Sequence, residues 1–171
     1  MLKLLGMVMV AGSCTAIGLF MAEEKKHRLR SLRELKSFFI TLQGEIRYGG
    51  TPLNEAIEGA AVGTGEIAAG FLEIAAAMER KDTGSFFEIW KLQLRKSGKN
   101  LALSKLDMEK LLRVGETLGY LDRETQLACL ELYLLELEKD LAIEEGKIGE
   151  TVRLCRWLGT LAGVFICILM I

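Results

Sequence analysis

The stretch RYGGTPLNEAI, residues 47–57, holds the one proline of the chain, and its reading separates two folds. A double glycine followed by threonine suits a loop that wraps a phosphate, which needs a strand before it and a helix after it. The same residues suit a corner between two helices. Gly49 is placed to end the first as a left-handed cap. Thr51 is placed as the N-cap of the second, with Pro52 at its first position, where the missing N–H costs nothing. The upstream residues decide between the two. Leu32, Leu35, Phe39, Leu42 and Ile46 step by three and four, which is a helical face and not an alternating strand. The corner reading therefore holds, and the expected fold class is all-α.

Working outward, helical spacing continues through the middle of the chain. A helix with Leu53, Ile57 and Ala60 on its apolar face breaks near VGTG, residues 62–65. An alanine-rich helix follows, with Ile67, Phe71, Ile74 and Met78. Ser85 with Glu88 forms a capping box that opens a fourth helix carrying Phe87, Trp90 and Leu94. Ser104 with Asp107 opens a fifth, with Met108, Leu111, Gly115 and Leu118 on its seam. Gly115 on a seam points to a close helix crossing. Asp122 caps a long sixth helix with a Leu127, Leu130, Leu134, Leu137, Leu141 stripe that continues through Ile148 and Val152. No strong breaker lies between Asp122 and Trp157, so one helix is expected to run through.

Half of the 171 residues are apolar, and the excess lies at the two ends. Residues 1–22 carry Lys3 as their one charge before the glutamates that follow, enough apolar length to span a bilayer. Residues 157–171 hold no charge, and at about 1.5 Å each they reach roughly 22 Å. Arg153 and Arg156 can snorkel to extend that short span. Cleavage as a signal peptide fits poorly, because one lysine and the MAEEKK sequence lack the usual flanks. Basic residues gather on the inner flanks of both segments, in KKHRLRSLRELK (25–36) and KIGETVRLCR (147–156). Such residues stay cytoplasmic. The expected organisation is an N-terminal transmembrane helix over 1–22, a cytoplasmic bundle of about six helices over 25–156, and a C-terminal transmembrane helix over 157–171.

Charge and motif content exclude several functions. Lys and Arg number 22 against 23 Asp and Glu, which gives no basic stripe for nucleic acid. His27 is the one histidine and sits in the basic flank. Cys14, Cys129, Cys155 and Cys167 form no C-x-x-C pair. No P-loop, G-x-S-x-G or H-E-x-x-H occurs. No catalytic residue, metal ligand, cofactor or small-molecule substrate is expected, and the chain reads as a non-enzyme. The sixth helix is acidic on its outer side, where Glu131, Glu136, Glu138, Asp140, Glu144, Glu145 and Glu150 outnumber Lys139 and Lys147. These acids are solvated, or pair with the basic first helix within the bundle, or dock a partner; Glu131, Glu138 and Glu145 mark the docking face in the last case.

The corner residues also carry a resemblance. Glu45, Ile46, Tyr48, Thr51, Pro52, Leu53, Glu55 and Ala56 form one block, and Leu103, Ser104, Asp107, Gly115, Leu118, Gly119, Asp122 and Gln126 a second. With the glycine-containing ending LGTLAGVFICILMI, they resemble the stage III sporulation protein AB family over essentially the whole chain. The resemblance implies a part of a channel-like complex of endospore-forming bacteria, in the mother-cell membrane around the forespore, needed for endospore development. It implies a cytoplasmic domain similar to the inner-membrane platform protein of type II secretion and type IV pilus systems. Such a platform couples a cytoplasmic secretion-type ATPase to the membrane components of the complex. The family-motif residues it singles out for structure or interaction are Glu45, Tyr48, Thr51, Pro52, Leu53, Gly119, Asp122 and Gln126. The alternative is a membrane-tethered structural protein that organises neighbouring membrane proteins without touching an ATPase.

Overall fold

The computed structural model describes residues 23, 25–80, 84–98, 101–120 and 122–170, with residue 120 and residues 148–170 described by their backbone alone. The described residues form six α-helices and no strand. They are α1 (25–44), α2 (Leu53–Ala61), α3 (Ala68–Glu79), α4 (Phe86–Ser97), α5 (Lys105–Tyr120) and α6 (Arg123–Met170). The all-α class is thus observed. Among the described residues no helix is long and apolar enough to cross a membrane. The expected span over 1–22 lies outside the described residues, and of 157–171 only the helical backbone to Met170 is described.

Contacts divide the chain into two units. One is Arg28–Leu141; the other combines the residues before Arg28 with those after Leu141. In the second unit Lys26 pairs with Glu23 at 2.9 Å and Lys147 with Glu144 at 3.0 Å. Apart from the portion of α6 after Leu141, the contacts described below belong to the first unit.

Its core follows from the three-four spacing of α1. Leu32, Leu35, Phe38, Phe39 and Leu42 are all buried. Phe38 stacks on Phe71 of α3 at 3.8 Å between ring centroids. The Glu34 carboxylate, one turn earlier, accepts the backbone N–H groups of Glu66 and Ile67 at 3.0 and 3.3 Å. These two levels make α3 parallel to α1. The connection is the short α2 and a 3₁₀ turn over Gly65–Ile67.

Helix α4 returns antiparallel, with Ser97 beside Gly70 and Trp90 against Phe71, ring centroids 5.5 Å apart. Helix α5 reverses again, from Leu111, whose carbonyl accepts the Trp90 indole N–H at 3.1 Å, to Gly119 beside Phe86. Helix α6 closes the bundle on α1, with Tyr133 edge-on to Phe39 at 4.8 Å and Lys36 paired to Glu138 at 2.8 Å. Burying each of these large side chains stabilises the fold by about 1.5–3 kcal/mol, and each aromatic pair adds roughly 0.5–1.5 kcal/mol.

Both capping boxes form. Glu88 N–H donates to Ser85 Oγ while the Ser85 N–H donates to Glu88. The Ser104 N–H donates to Asp107 at 2.8 Å and the Asp107 N–H to Ser104 Oγ at 3.2 Å.

The first corner differs from the expectation in two respects. The left-handed residue is Gly50 (φ 61°, ψ 11°), not Gly49. Helix α1 widens into a π-turn over Glu45–Gly49 before it stops, and the added residue per turn moves the cap one position on. Thr51 is not the N-cap of α2. Pro52 holds that place, extended at ψ 149°, with its carbonyl accepting the Ala56 N–H at 3.0 Å and no side-chain cap. A proline ring fixes φ but leaves ψ open, so Pro52 can turn the chain as readily as begin the helix.

The buried stripe of α6 is also turned slightly from the expected one. Leu130, Tyr133, Leu137 and Leu141 are buried, while Leu127 and Leu134 are half-buried. Tyr133 takes the inner position because its ring fills the space over Phe39.

Candidate interaction site at the far corner of the bundle

The down-and-up course of the helices gathers three features at the end of the first unit away from Arg28 and Leu141. These are the α1–α2 corner, the start of α4 and the α5–α6 corner. The first and last hold the family-motif residues. They meet where the Arg123 guanidinium donates to the Arg47 carbonyl, a group freed from helical pairing by the end of α1.

Each motif residue has a definite position there. Asp122 is the N-cap of α6: its carboxylate accepts the Thr125 N–H at 2.8 Å and the Thr125 hydroxyl at 3.2 Å, and its carbonyl accepts the Gln126 N–H. The Thr125 hydroxyl, and then the Thr125 N–H, hold the Asp122 carboxyl below its ordinary value. The Gln126 amide donates to the Leu118 carbonyl at 2.7 Å, which satisfies an acceptor at the end of α5. Gly119 is exposed and lies against Phe86, where an added Cβ would stand 3.1 Å from the ring.

On the other corner Glu45 and Leu53 are half-buried, and Thr51 and Pro52 are exposed. Tyr48 is 82% exposed. An aromatic ring left in water beside a corner stabilised by backbone bonds is available to a partner. Thus Asp122 and Gln126 build the corner, and Tyr48 is what it presents.

Glu131, Glu138 and Glu145, the acids expected to mark a docking face, are all exposed on α6. Glu131 is exposed and makes no ion pair among the described residues. Glu138 is held by Lys36, and Glu145 belongs to the second unit. Of the other acids on α6, Asp140 binds Lys110 at 2.7 Å, Glu136 stands 3.7 Å from the same ammonium, and Glu144 is buried. Pairing within the bundle therefore accounts for much of the asymmetry.

The bundle also contains ion pairs that the sequence spacing did not reveal. Arg28 grips Asp107 with two bonds, Nε to Oδ2 at 2.9 Å and Nη2 to Oδ1 at 3.1 Å. Burial pushes the Asp107 carboxyl up, but bonds from Arg28 and Ser104 outweigh burial and hold it below the ordinary value. Lys110 is pushed up, by its bond to Asp140 against the opposing effect of burial. Burial drives the Tyr133 phenol far above its usual range, with Asp107, Asp140 and Glu136 adding to it. Arg28 and Asp107 are 79 positions apart, so nothing local signals the pair. Among the described residues no three His, Cys, Asp or Glu side chains are grouped to hold a metal ion.

This arrangement of helices and corners has close relatives. Residues 3–171 match the family described as stage III sporulation protein AB. The stage III sporulation protein AB of Bacillus subtilis (strain 168) is 32% identical over 170 residues, which is 99% of each chain. A solved structure of stage III sporulation protein AB superposes with a TM-score of 0.63 at 30% identity, over 72% of this chain and 97% of that one. The match spans both corners and α6, and the chain belongs to the stage III sporulation protein AB family, whose place is in sporulation.

Proposed function

We propose that the chain is a non-enzymatic membrane platform of a sporulation channel complex. The bundle is cytoplasmic and is held in the mother-cell membrane around the forespore by residues 1–22 and 157–171. It binds a cytoplasmic secretion-type ATPase of the same complex and couples it to the membrane components.

One observation supports this reading above the others. Helix α6 is unbroken from Arg123 at the motif-bearing corner to Met170. A partner that binds at the corner presenting Tyr48 is thereby connected, through one continuous helical backbone, to the apolar ending. The apolar ending and its basic flanks supply the anchoring and the orientation.

Two measurements test it. A reporter enzyme active only outside the cytoplasm, fused after Ile171, is expected to be active; activity of only a cytoplasmic reporter at that point overturns the topology. The full chain in lipid nanodiscs is expected to retain the purified ATPase, and Tyr48→Ala to weaken that retention about tenfold, as for an exposed aromatic anchor. Retention of membrane components without the ATPase replaces the platform with the purely organising role.

A further inference from the structure

Helices α2 and α4 both pack on α3 and not on each other, and their outer faces carry opposite charge. On α2, Glu55 and Glu58 are exposed one turn apart, with Val62 a further turn on at 75% exposure. No Lys or Arg occurs from Tyr48 through Glu79, and Arg30 of α1 is turned to Glu66. On α4, Arg95 and Lys96 are exposed one turn after Leu92, itself 54% exposed. The one acid of α4, Glu88, is held by the Ser85 N–H. Glu55, Glu58, Arg95 and Lys96 make no ion pair among the described residues, and neither does exposed Glu73 of α3.

The two charged faces also stand at one height. Helix α2 runs back beside α1, from its end to the level of Glu34. Its nine residues rise about 13.5 Å, against about 15 Å between Gly44 and Glu34. Glu34 is level with Ile67, and Phe38 with Phe71, so Glu58 falls at the level of Phe71 and Leu72. Ser97 lies beside Gly70, which puts Arg95 at the level of Leu72 as well. Copies anchored in one membrane, as proposed above, stand parallel. The acidic α2 of one can then meet the basic α4 of the next with no shift along the helix axes. Like faces repel: α2 on α2 sets acid against acid, and α4 on α4 sets base against base, which disfavours a two-fold pair on either face. We propose that the chain associates with further copies of itself head to tail, Glu55 and Glu58 of one copy against Arg95 and Lys96 of the next. The contact covers Val62 and Leu92. Only the parallel stance rests on the membrane reading; the charge match between the faces does not.

The test is density-matched sedimentation equilibrium of the full chain in detergent micelles, where association needs no shared membrane. The chain is expected to form species above the monomer that dissociate as salt is raised. Glu55→Arg combined with Glu58→Arg is expected to weaken association about tenfold or more, and Arg95→Glu with Lys96→Glu likewise. An equal mixture of the two variants is expected to associate again, because each supplies the charge that the other lacks. All four residues are exposed, so unchanged helical circular dichroism verifies the fold of the variants. A chain that stays monomeric throughout, an oligomer that neither reversal weakens, or a mixture that stays dissociated overturns the proposal. None of these outcomes touches the topology, which the reporter after Ile171 reads separately.

Discussion

The indole of Trp90 lies directly on Gly115. A Cβ built on Gly115 would overlap the Trp90 five-membered ring, and the indole N–H is bonded to the Leu111 carbonyl one turn away. Two helices thus approach at a point where one has no side chain and the other has the largest. The buried indole is fixed in place by its hydrogen bond, so it cannot move aside at low cost.

Gly115→Ala is therefore expected to destabilise the bundle although alanine is the better helix former. The propensity gain is about 1 kcal/mol and the overpacking cost about 1–3 kcal/mol or more, with a lost indole bond adding roughly 1 kcal/mol. Denaturant unfolding followed by tryptophan fluorescence measures the difference. A variant as stable as the parent would show that α4 and α5 part easily. Gly115→Ala combined with Trp90→Leu is expected to recover part of the loss.

The Arg28–Asp107 pair predicts a dependence on pH. The Asp107 carboxyl is held below its ordinary value in the folded chain. Its contribution is then complete above the ordinary carboxylate value and is lost as pH falls from there through the lowered folded value. Stability in urea should fall in that acid window, and Asp107→Asn should flatten the fall. Arg28→Ala leaves a buried carboxylate with only the Ser104 bonds, and is expected to cost roughly 2 kcal/mol at neutral pH. The matching loss in Asp107→Asn is smaller, because the amide oxygen still accepts from the Ser104 N–H.

The corner makes a prediction about two adjacent glycines. Gly50 is in the left-handed region at φ 61°, and Gly49 is not among the residues of positive φ. Gly50→Ala should cost about 1 kcal/mol. Gly49→Ala should cost less, since the Cβ would meet only the ends of the Glu45 and Thr51 side chains. Thermal unfolding of the two variants compares them, and a larger loss at Gly49 would contradict the observed backbone.

These residues also show what the sequence reveals and what it withholds. The capping boxes at Ser85 and Ser104, the cap at Asp122, and the seam glycine at 115 are all local signals, within one or two turns of helix, and all are observed. The displacement from Gly49 to Gly50 depends on a π-turn, which has no local marker in EIRYG. Nothing local marks Tyr133, because leucines flank it on both sides of the stripe; the ring of Phe39, 94 positions earlier in sequence, selects it. The meeting of the two corners through Arg123 and Arg47 is likewise set by the order in which the helices fold back. Short-range capping and periodicity give the elements; the pairs that bring the motif residues together come from packing.

Glu34 offers a last test of that packing, because it caps a helix other than its own. Its carboxylate accepts the N–H groups of Glu66 and Ile67, which lie in the turn that leads into α3, in the positive field of its N-terminus. A side chain on α1 therefore does for α3 what Ser85 does for α4. Glu34→Ala should cost about 1 kcal/mol, the usual loss of an N-cap. Glu34→Gln keeps an acceptor oxygen without the charge, and should cost less. Hydrogen exchange distinguishes a local effect from a global one. The amides of Glu66 and Ile67 should exchange faster in Glu34→Ala by more than the change in global stability accounts for, while those of Trp90 and Leu111 should follow the global change. Equal acceleration at all four amides would mean that the carboxylate stabilises the whole bundle and does not cap α3.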